Sequence, residues 1–170
     1  MRIPRKGFMY CGLPGLSTAL IGAMVFGSSD VVEILLESGA SPYITDKNGN
    51  DPLMCACVYG RLDNVKFWLE RNSFKDWNLE TRGTLGNVAM GNAVYMGPDR
   101  FKLVKYLLKR GAKFDSVTDN GTSNLMSACA NEDADPRVVK LFLENVTQNT
   151  TNQKIRAKTT WRSTRRTQTS

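Results

Sequence analysis

The sequence predicts an all-α solenoid built from four stacked helix pairs. Three observations support this fold: an apolar seven-residue segment recurs four times, a shorter apolar stretch precedes each copy, and capping and turn residues lie between them. Self-similarity at a period of about 20–50 residues is the mark of repeat architectures. Each unit is therefore expected to bury its apolar faces against its neighbours rather than by itself.

The recurring segment has a near-constant order: two positions that are mostly apolar, one charge, three apolar residues and another charge. Its copies occupy residues 31–37, 64–70, 103–109 and 138–144. When Leu35, Trp68, Leu107 and Phe142 are taken as equivalent, the spacings are 33, 39 and 35 residues. This pattern indicates the second, longer helix of each pair.

A shorter apolar stretch precedes each copy, at residues 18–23, 51–56, 88–93 and 123–128. Asp51-Pro52 predicts a helix start, because aspartate caps a helix and proline suits its first position. Asp135-Pro136 repeats this signal, and Thr18 and Ser123 are capping residues in the equivalent place. The stretches are therefore predicted to be the first helix of each pair.

Residues that end helices follow three of the longer segments, at Ser38-Gly39, Arg71-Asn72 and Arg110-Gly111. Glycine and asparagine tolerate the left-handed conformation that closes a helix. The polar runs 45–50 and 118–121 predict tight turns between units.

A 33-residue period of turn, short helix and longer helix is typical of ankyrin repeats, and this chain resembles that family. Asp51-Pro52-Leu53-Met54-Cys55-Ala56 matches the proline, leucine and alanine of the family's T-P-L-H-x-A start. Residues 37–42 and 109–114 look like its Gly-Ala exit from the second helix. The resemblance covers about residues 13–146 and implies helix-turn-helix units joined by β-hairpin loops.

The chain departs from the family pattern in two ways. Ile21, Met54, Gly91 and Met126 stand where the motif has histidine, so a hydrogen bond that ties neighbouring units is expected to be absent. The third unit begins without Thr-Pro after a hairpin about four residues too long, and extra residues separate the helices near 98–99 and 133–134. The stack is therefore expected to be irregular.

The predicted organisation has three parts. Residues 1–12 form an N-terminal extension, and residues 13–146 form the repeat domain, with units at about 13–45, 46–79, 80–117 and 118–146. Residues 147–170 form a basic Ser/Thr-rich tail, interpreted as disordered or as a truncated fifth repeat. The first unit has an apolar end, which either residues 1–12 or another repeat or partner would cover.

The net charge of +7 comes from the two ends of the chain. Residues 13–145 hold 14 basic and all 16 acidic residues, so the predicted body carries −2. The four cysteines (Cys11, Cys55, Cys57 and Cys129) form no Cys-x-x-Cys pair, and the chain has no histidine. Free thiols are therefore predicted rather than a zinc site, with Cys55, Cys57 and Cys129 facing inward or sideways and reacting slowly.

The residues favour a binding module over an enzyme. With no histidine, the chain lacks the commonest general base, and it has neither a Gly-rich phosphate loop nor a distinctive carboxylate pair, so no catalytic, metal or cofactor site is predicted. The apolar run 13–27 is interrupted by Pro14 and Gly15 and is too short to span a bilayer, which favours a cytoplasmic chain over a secreted or membrane one. A nucleic-acid partner is disfavoured, because the excess basic charge lies outside the predicted body.

The resemblance implies that a protein partner, whose identity the sequence does not give, binds the concave face. Two other classes stay open: an accessory segment of a larger protein, and a binder of anionic partners through the basic tail. Oligomeric state is not predicted. Carried over from the family, the predicted contacts lie at hairpin tips and at the exposed ends of first helices, with Tyr59, Tyr95 and Met96 as anchors: Lys47, Asn48, Asn50, Val58, Tyr59, Asn87, Tyr95, Met96, Asp119, Asn120, Thr122 and Asn131.

Overall fold

The computed structural model describes residues 18–95, 100–130 and 134–149, and within these ranges the chain forms eight α-helices and one short 3₁₀ turn. The helices are α1 (Ala19–Phe26), α2 (Ser29–Glu37), α3 (Pro52–Val58), α4 (Leu62–Glu70), α5 (Ala89–Tyr95), α6 (Arg100–Lys109), α7 (Asn124–Ala130) and α8 (136–149). The 3₁₀ turn spans Asn72–Phe74. The predicted all-α repeat solenoid is confirmed.

The helices form two layers. The first helices of the units, α1, α3, α5 and α7, pack side by side as an inner layer, while α2, α4, α6 and α8 form an outer layer. One continuous core runs between the layers, and Met24, Trp68, Leu103 and Phe142 are fully buried in it. A smaller cluster of Ile21, Val25, Cys55 and Val58 joins α1 to α3.

The predicted helix starts are confirmed. Thr18 Oγ1 accepts a hydrogen bond from the Ile21 N–H at 3.2 Å, and Asp51 Oδ1 accepts one from the Met54 N–H at 2.7 Å. Ser123 Oγ likewise accepts from the Met126 N–H at 3.1 Å. Each side chain satisfies an amide that has no partner within its own helix.

Two of the three predicted helix ends have the expected left-handed glycine. Gly39 and Gly111 have φ of 86° and 91°, and the amides that follow them bond back to the carbonyls of Leu35 and Leu107. The prediction for Asn72 is wrong, because no described non-glycine residue has positive φ. The chain continues there into the 3₁₀ turn instead.

The loops between units are tight turns rather than paired strands. In the described part of the chain, the extended pairing is limited to one isolated antiparallel bridge, between Val117 and Ser123. Asp46 shows how the first turn is held: its Oδ1 accepts hydrogen bonds from the amides of Asn48 and Asn50, both at 2.8 Å.

The extra residues before the third unit form a packed insertion. Phe74, which ends the 3₁₀ turn, stacks on Trp68 with ring centroids 4.5 Å apart, and Trp77 meets both rings edge-on. The Trp77 indole also donates a hydrogen bond to Asp51 Oδ2 at 3.1 Å. The irregular length is therefore absorbed by an aromatic cluster, defined as Trp68, Phe74 and Trp77.

Although the motif histidine is missing, asparagine and arginine side chains form hydrogen bonds between neighbouring units. Asn64 on α4 donates to carbonyls at the end of α1, and Asn92 on α5 donates to Asn50 Oδ1 at 3.2 Å. Arg110 donates to the Leu69 carbonyl. Other side chains therefore supply hydrogen bonds between units in place of the one expected to be lost with the histidine.

The cysteines differ from the prediction at one position. Cys55 and Cys57 are buried on α3, but Cys129 is exposed on α7, because no later unit of the described chain covers that side. Burial also raises the pKa of the Cys57 thiol, with the Asp51 charge adding to the shift. Cys11 lies outside the described residues.

In thiol titration of the native protein, Cys129 should react fast, and Cys55 and Cys57 should react slowly. A thiolate must form and be reached by the reagent. Burial blocks the reagent at Cys55 and Cys57, and the raised pKa of Cys57 also disfavours its thiolate. Replacing Cys129→Ser in a Cys11→Ser background should remove the fast phase. A fast phase that persists in this double variant would contradict the assignment.

Candidate interaction surface

Three turns lie side by side along one edge of the stack, and each is closed by a left-handed glycine. Gly49, Gly86 and Gly121 have φ of 70°, 74° and 82°. Backbone hydrogen bonds link the turns: Thr84 N–H donates to the Asn48 carbonyl at 2.8 Å, and Asp119 N–H donates to the Leu85 carbonyl at 3.1 Å. The turns therefore form a row, called here the tip row: Lys47, Asn48, Thr84, Leu85, Asp119 and Asn120.

The tip row presents side chains of mixed chemistry. Lys47, Asp119 and Asn120 are exposed as predicted, and Asn48 is half-buried. Asp119 Oδ1 pairs with Arg82 Nη2 at 2.7 Å, directly over Gly86, where a Cβ atom would collide with both groups. The backbone conformation therefore favours glycine at Gly86, and a side chain there would also displace the Arg82–Asp119 pair.

Leu85 is the member of the tip row that the sequence prediction missed. Its side chain is 62% exposed and lies between the polar tips of the second and fourth units. Aligning the turn glycines Gly49, Gly86 and Gly121 would have found it, because Leu85 directly precedes its glycine as Asn48 and Asn120 do. An exposed leucine in the middle of a polar row is a natural apolar contact.

Two predicted contacts are buried and do not reach the surface. Asn50 is 4% exposed: its amide donates to Asp46 Oδ2 at 3.2 Å, and its Oδ1 accepts from Asn92. Val58 is 8% exposed within the small cluster that joins α1 to α3. The structure gives both residues a packing role instead.

Asn87 and Thr122 are half-buried and help to close their turns. The Asn87 carbonyl accepts from the Gly83 N–H at 2.8 Å, and the Thr122 carbonyl accepts from the Thr118 N–H at 3.0 Å. Their backbones hold the tip row in place.

Tyr59 lies at the end of α3 and contacts the end of the neighbouring inner helix. Its ring meets Phe26 edge-on, with centroids 5.7 Å apart, and it packs against the small cluster. Tyr59 is half-buried, whereas Phe26 is 57% exposed. The pair gives the inner layer an accessible aromatic surface, and Phe26 was not among the predicted contacts.

The predicted match between Tyr59 and Tyr95 is wrong by one residue. When positions are counted from the helix starts (Pro52 and Ala89) or from the turn glycines before them, Tyr95 corresponds to Val58 rather than to Tyr59. Met96 is then the counterpart of Tyr59. Met96, Asn131 and the side chain of Tyr95 lie outside the described residues.

A recess of about 370 Å³ lies elsewhere, beside the insertion. Its lining includes Tyr43, Asp51 and Trp77, and Tyr43 stacks on Trp77 with centroids 5.5 Å apart. Burial raises the pKa of the Asp51 carboxyl, and the hydrogen bonds from Met54 and Trp77 oppose that shift. Both Asp51 oxygens already accept these bonds, so the carboxylate serves as a helix cap.

The described residues contain no group of three or more His, Cys, Asp or Glu side chains that could hold a metal ion. None of their helices is long and apolar enough to cross a membrane.

Comparison with known proteins agrees with this architecture. Residues 11–81 match the family model for ankyrin repeats in three copies. The chain is 31% identical over 115 residues to a B-cell lymphoma 3 protein homolog of Mus musculus, covering 67% of this chain and 25% of that protein. It is 37% identical over 65 residues to the DNA replication inhibitor plutonium of Drosophila melanogaster, covering 38% of this chain and 37% of that protein. The chain thus spans well under half the length of either relative.

Proposed function

Since this chain is an ankyrin-repeat protein, and such repeats are generally protein-interaction modules, we propose that it binds a partner protein across the tip row and the inner helices. A stack of repeats gives an extended concave surface rather than an enclosed pocket. Binding, with no catalytic step, is the activity this surface supports best.

The observation that carries the proposal is the presence of two accessible apolar features, one before the start of an inner helix and one at the ends of two inner helices. Leu85 stands exposed in the tip row, and the Phe26–Tyr59 pair lies at the ends of the inner helices. A few aromatic or apolar anchors within a polar rim usually supply most of the binding energy of an interface. Lys47, Asp119 and Asn120 would form such a rim.

A second candidate, an accessory segment of a larger protein, is favoured by the outer face of α2. Val31 and Ile34 are 44% and 61% exposed, whereas Leu103 and Val138, the counterparts of Val31, are 0% and 1% exposed. In the second unit, Asn64 stands at that position and donates to carbonyls of the preceding unit. Size-exclusion with light scattering separates the candidates: a stable monomer supports a self-sufficient module, and aggregation supports a segment that normally packs on another unit.

The proposed surface is tested by affinity capture with matched variants, followed by affinity measurement on the captured protein. Tyr59→Ala and Leu85→Ser should each weaken binding by about 2 kcal/mol, the typical effect of losing an anchor. Leu143→Ser, which removes a 50% exposed apolar side chain from α8 of the outer layer, is the control and should bind as the wild type does.

Melting temperatures decide between a binding role and a structural one. Weaker binding with an unchanged melting temperature supports the surface. If Tyr59→Ala lowers the melting temperature while affinity is retained, Tyr59 only packs against Phe26 and its cluster. Equal capture by all variants would place the partner elsewhere.

A further inference from the structure

The exposed side chains of the outer layer change sign along the stack. At one set of equivalent positions, Asp30 and Asp63 of the first two units are followed by Lys102 and Arg137 of the last two. At a second set, the order is Glu33, Lys66, Lys105 and Lys140. The outer face is therefore acidic at its beginning and basic at its end, although the body as a whole is nearly neutral.

The basic charge is concentrated on and after α6. Residues 100–113 hold six basic residues and no acidic one, whereas residues 29–42 around α2 hold three acidic residues and no basic one. The exposed members that face outward on α6 and α8 define the basic face: Lys102, Lys105, Lys109, Arg137 and Lys140.

Three lysines of the basic face, Lys105, Lys109 and Lys140, form no salt bridge with any residue that the structure describes. Lys105 lies 5.9 Å from the centre of the Phe101 ring, a contact that leaves its ammonium group free to meet an anion. Clustered cations raise the local potential and attract an oppositely charged group.

The basic face is small and has acidic neighbours. From Lys102 to Lys109 the helix rises about 10 Å, and helices of adjacent units lie about 8–10 Å apart. Asp135 already pairs with Arg137 at 2.8 Å. Glu70 of the preceding outer helix accepts a hydrogen bond from Tyr106 at 3.1 Å, and Glu144 is exposed on α8. These carboxylates limit the area on which an anion is favoured.

We propose that the basic face binds a short acidic segment of a partner protein. About three to five extended residues span such a patch, at roughly 3.3 Å per residue. Each carboxylate would meet a lysine of α6 or α8 in a charge-assisted contact. This surface belongs to the outer layer, so it is separate from the tip row and could be occupied at the same time.

The acidic flanks favour a peptide over a nucleic acid. Duplex DNA carries a negative charge every ~1.7 Å along its axis. A duplex laid along the outer layer would therefore pass the carboxylates of Asp63 and Glu70 next to the basic face. The Arg137 guanidinium also covers one face of the Phe101 ring at 4.9 Å, which removes that face from base stacking.

The test uses the full chain and a fluorescein-labelled peptide of about eight alternating Asp and Glu residues at low salt, where charge pairs are little screened. Lys105→Glu/Lys140→Glu should weaken binding at least about tenfold, because it places like charges opposite the probe. Lys154→Glu/Lys158→Glu changes the net charge by the same amount within the basic C-terminal segment. This control should change affinity less than about threefold.

Three results would overturn the proposal. Equal weakening by both double variants would assign the peptide to the C-terminal segment or to net charge alone. A matching Asn/Gln peptide that binds as well as the acidic one would remove the electrostatic basis. A duplex of about 20 base pairs that binds more tightly than the peptide and loses affinity in the same variant would identify a nucleic-acid surface instead. An unchanged melting temperature of each variant confirms that only the surface was altered.

Discussion

Replacing Trp68 with alanine is expected to lower the free energy of unfolding by about 3–5 kcal/mol, the usual cost of removing a large core side chain. Trp68 is 0% exposed. It stacks on Phe74, and Trp77 meets it edge-on with centroids 5.1 Å apart. The substitution therefore leaves a cavity and also removes the surface on which the insertion packs. Chemical denaturation measures the change.

Trp68→Leu should cost clearly less than Trp68→Ala. Leucine is the residue at the equivalent position of α2 and α6, and it fills most of the space. Among the described residues, the Trp68 indole N–H has no hydrogen-bond partner, so leucine also removes a buried unsatisfied donor. Leu143→Ala, at a residue that is 50% exposed, serves as the surface control. Similar losses for Trp68→Ala and Leu143→Ala would show that the aromatic cluster contributes little.

Replacing Asn64 with leucine should lower the free energy of unfolding by about 1–3 kcal/mol. The Asn64 amide nitrogen donates to the carbonyls of Ala23, Met24 and Gly27 at 3.3, 3.0 and 3.1 Å. The Ala23 carbonyl keeps the Gly27 N–H at 2.8 Å, so the substitution leaves the Met24 carbonyl without its donor, and a buried carbonyl left unsatisfied costs about 1–3 kcal/mol. Arg61 still donates to the Gly27 carbonyl at 2.8 Å, which limits the loss.

The effect of Asn64→Leu should be local to the junction of the first two units. Hydrogen exchange is expected to speed up in α1 more than in α5, because stability in a repeat stack depends on nearest neighbours. Asp63→Asn, at the exposed adjacent position, is the matched control and should change stability by less than about 0.5 kcal/mol. A loss shared equally by α1 and α5 would mean that the junction does not act as a separate unit.

The sequence by itself determined the repeat and the local signals that mark its helices. Thr18, Asp51 and Ser123 cap helices as predicted, and Gly39 and Gly111 close them. These features are readable from sequence because a cap or a turn is decided by residues within about four positions of one another. The exposed tips Lys47, Asp119 and Asn120 followed from the same turns.

Only the tertiary structure decided which residues face solvent and which tie the units together. Asn50 was expected at a tip, but Asn92, 42 residues away, holds it in the interior. Asn64 interrupts the apolar pattern of the repeats, and the carbonyls that it binds lie 37–41 residues away. The exposure of Leu85 and Cys129 depends on how neighbouring units pack beside them. A repeat period specifies that neighbouring units stack. The contacts between units join residues that are distant in sequence, so local sequence patterns do not identify those pairs.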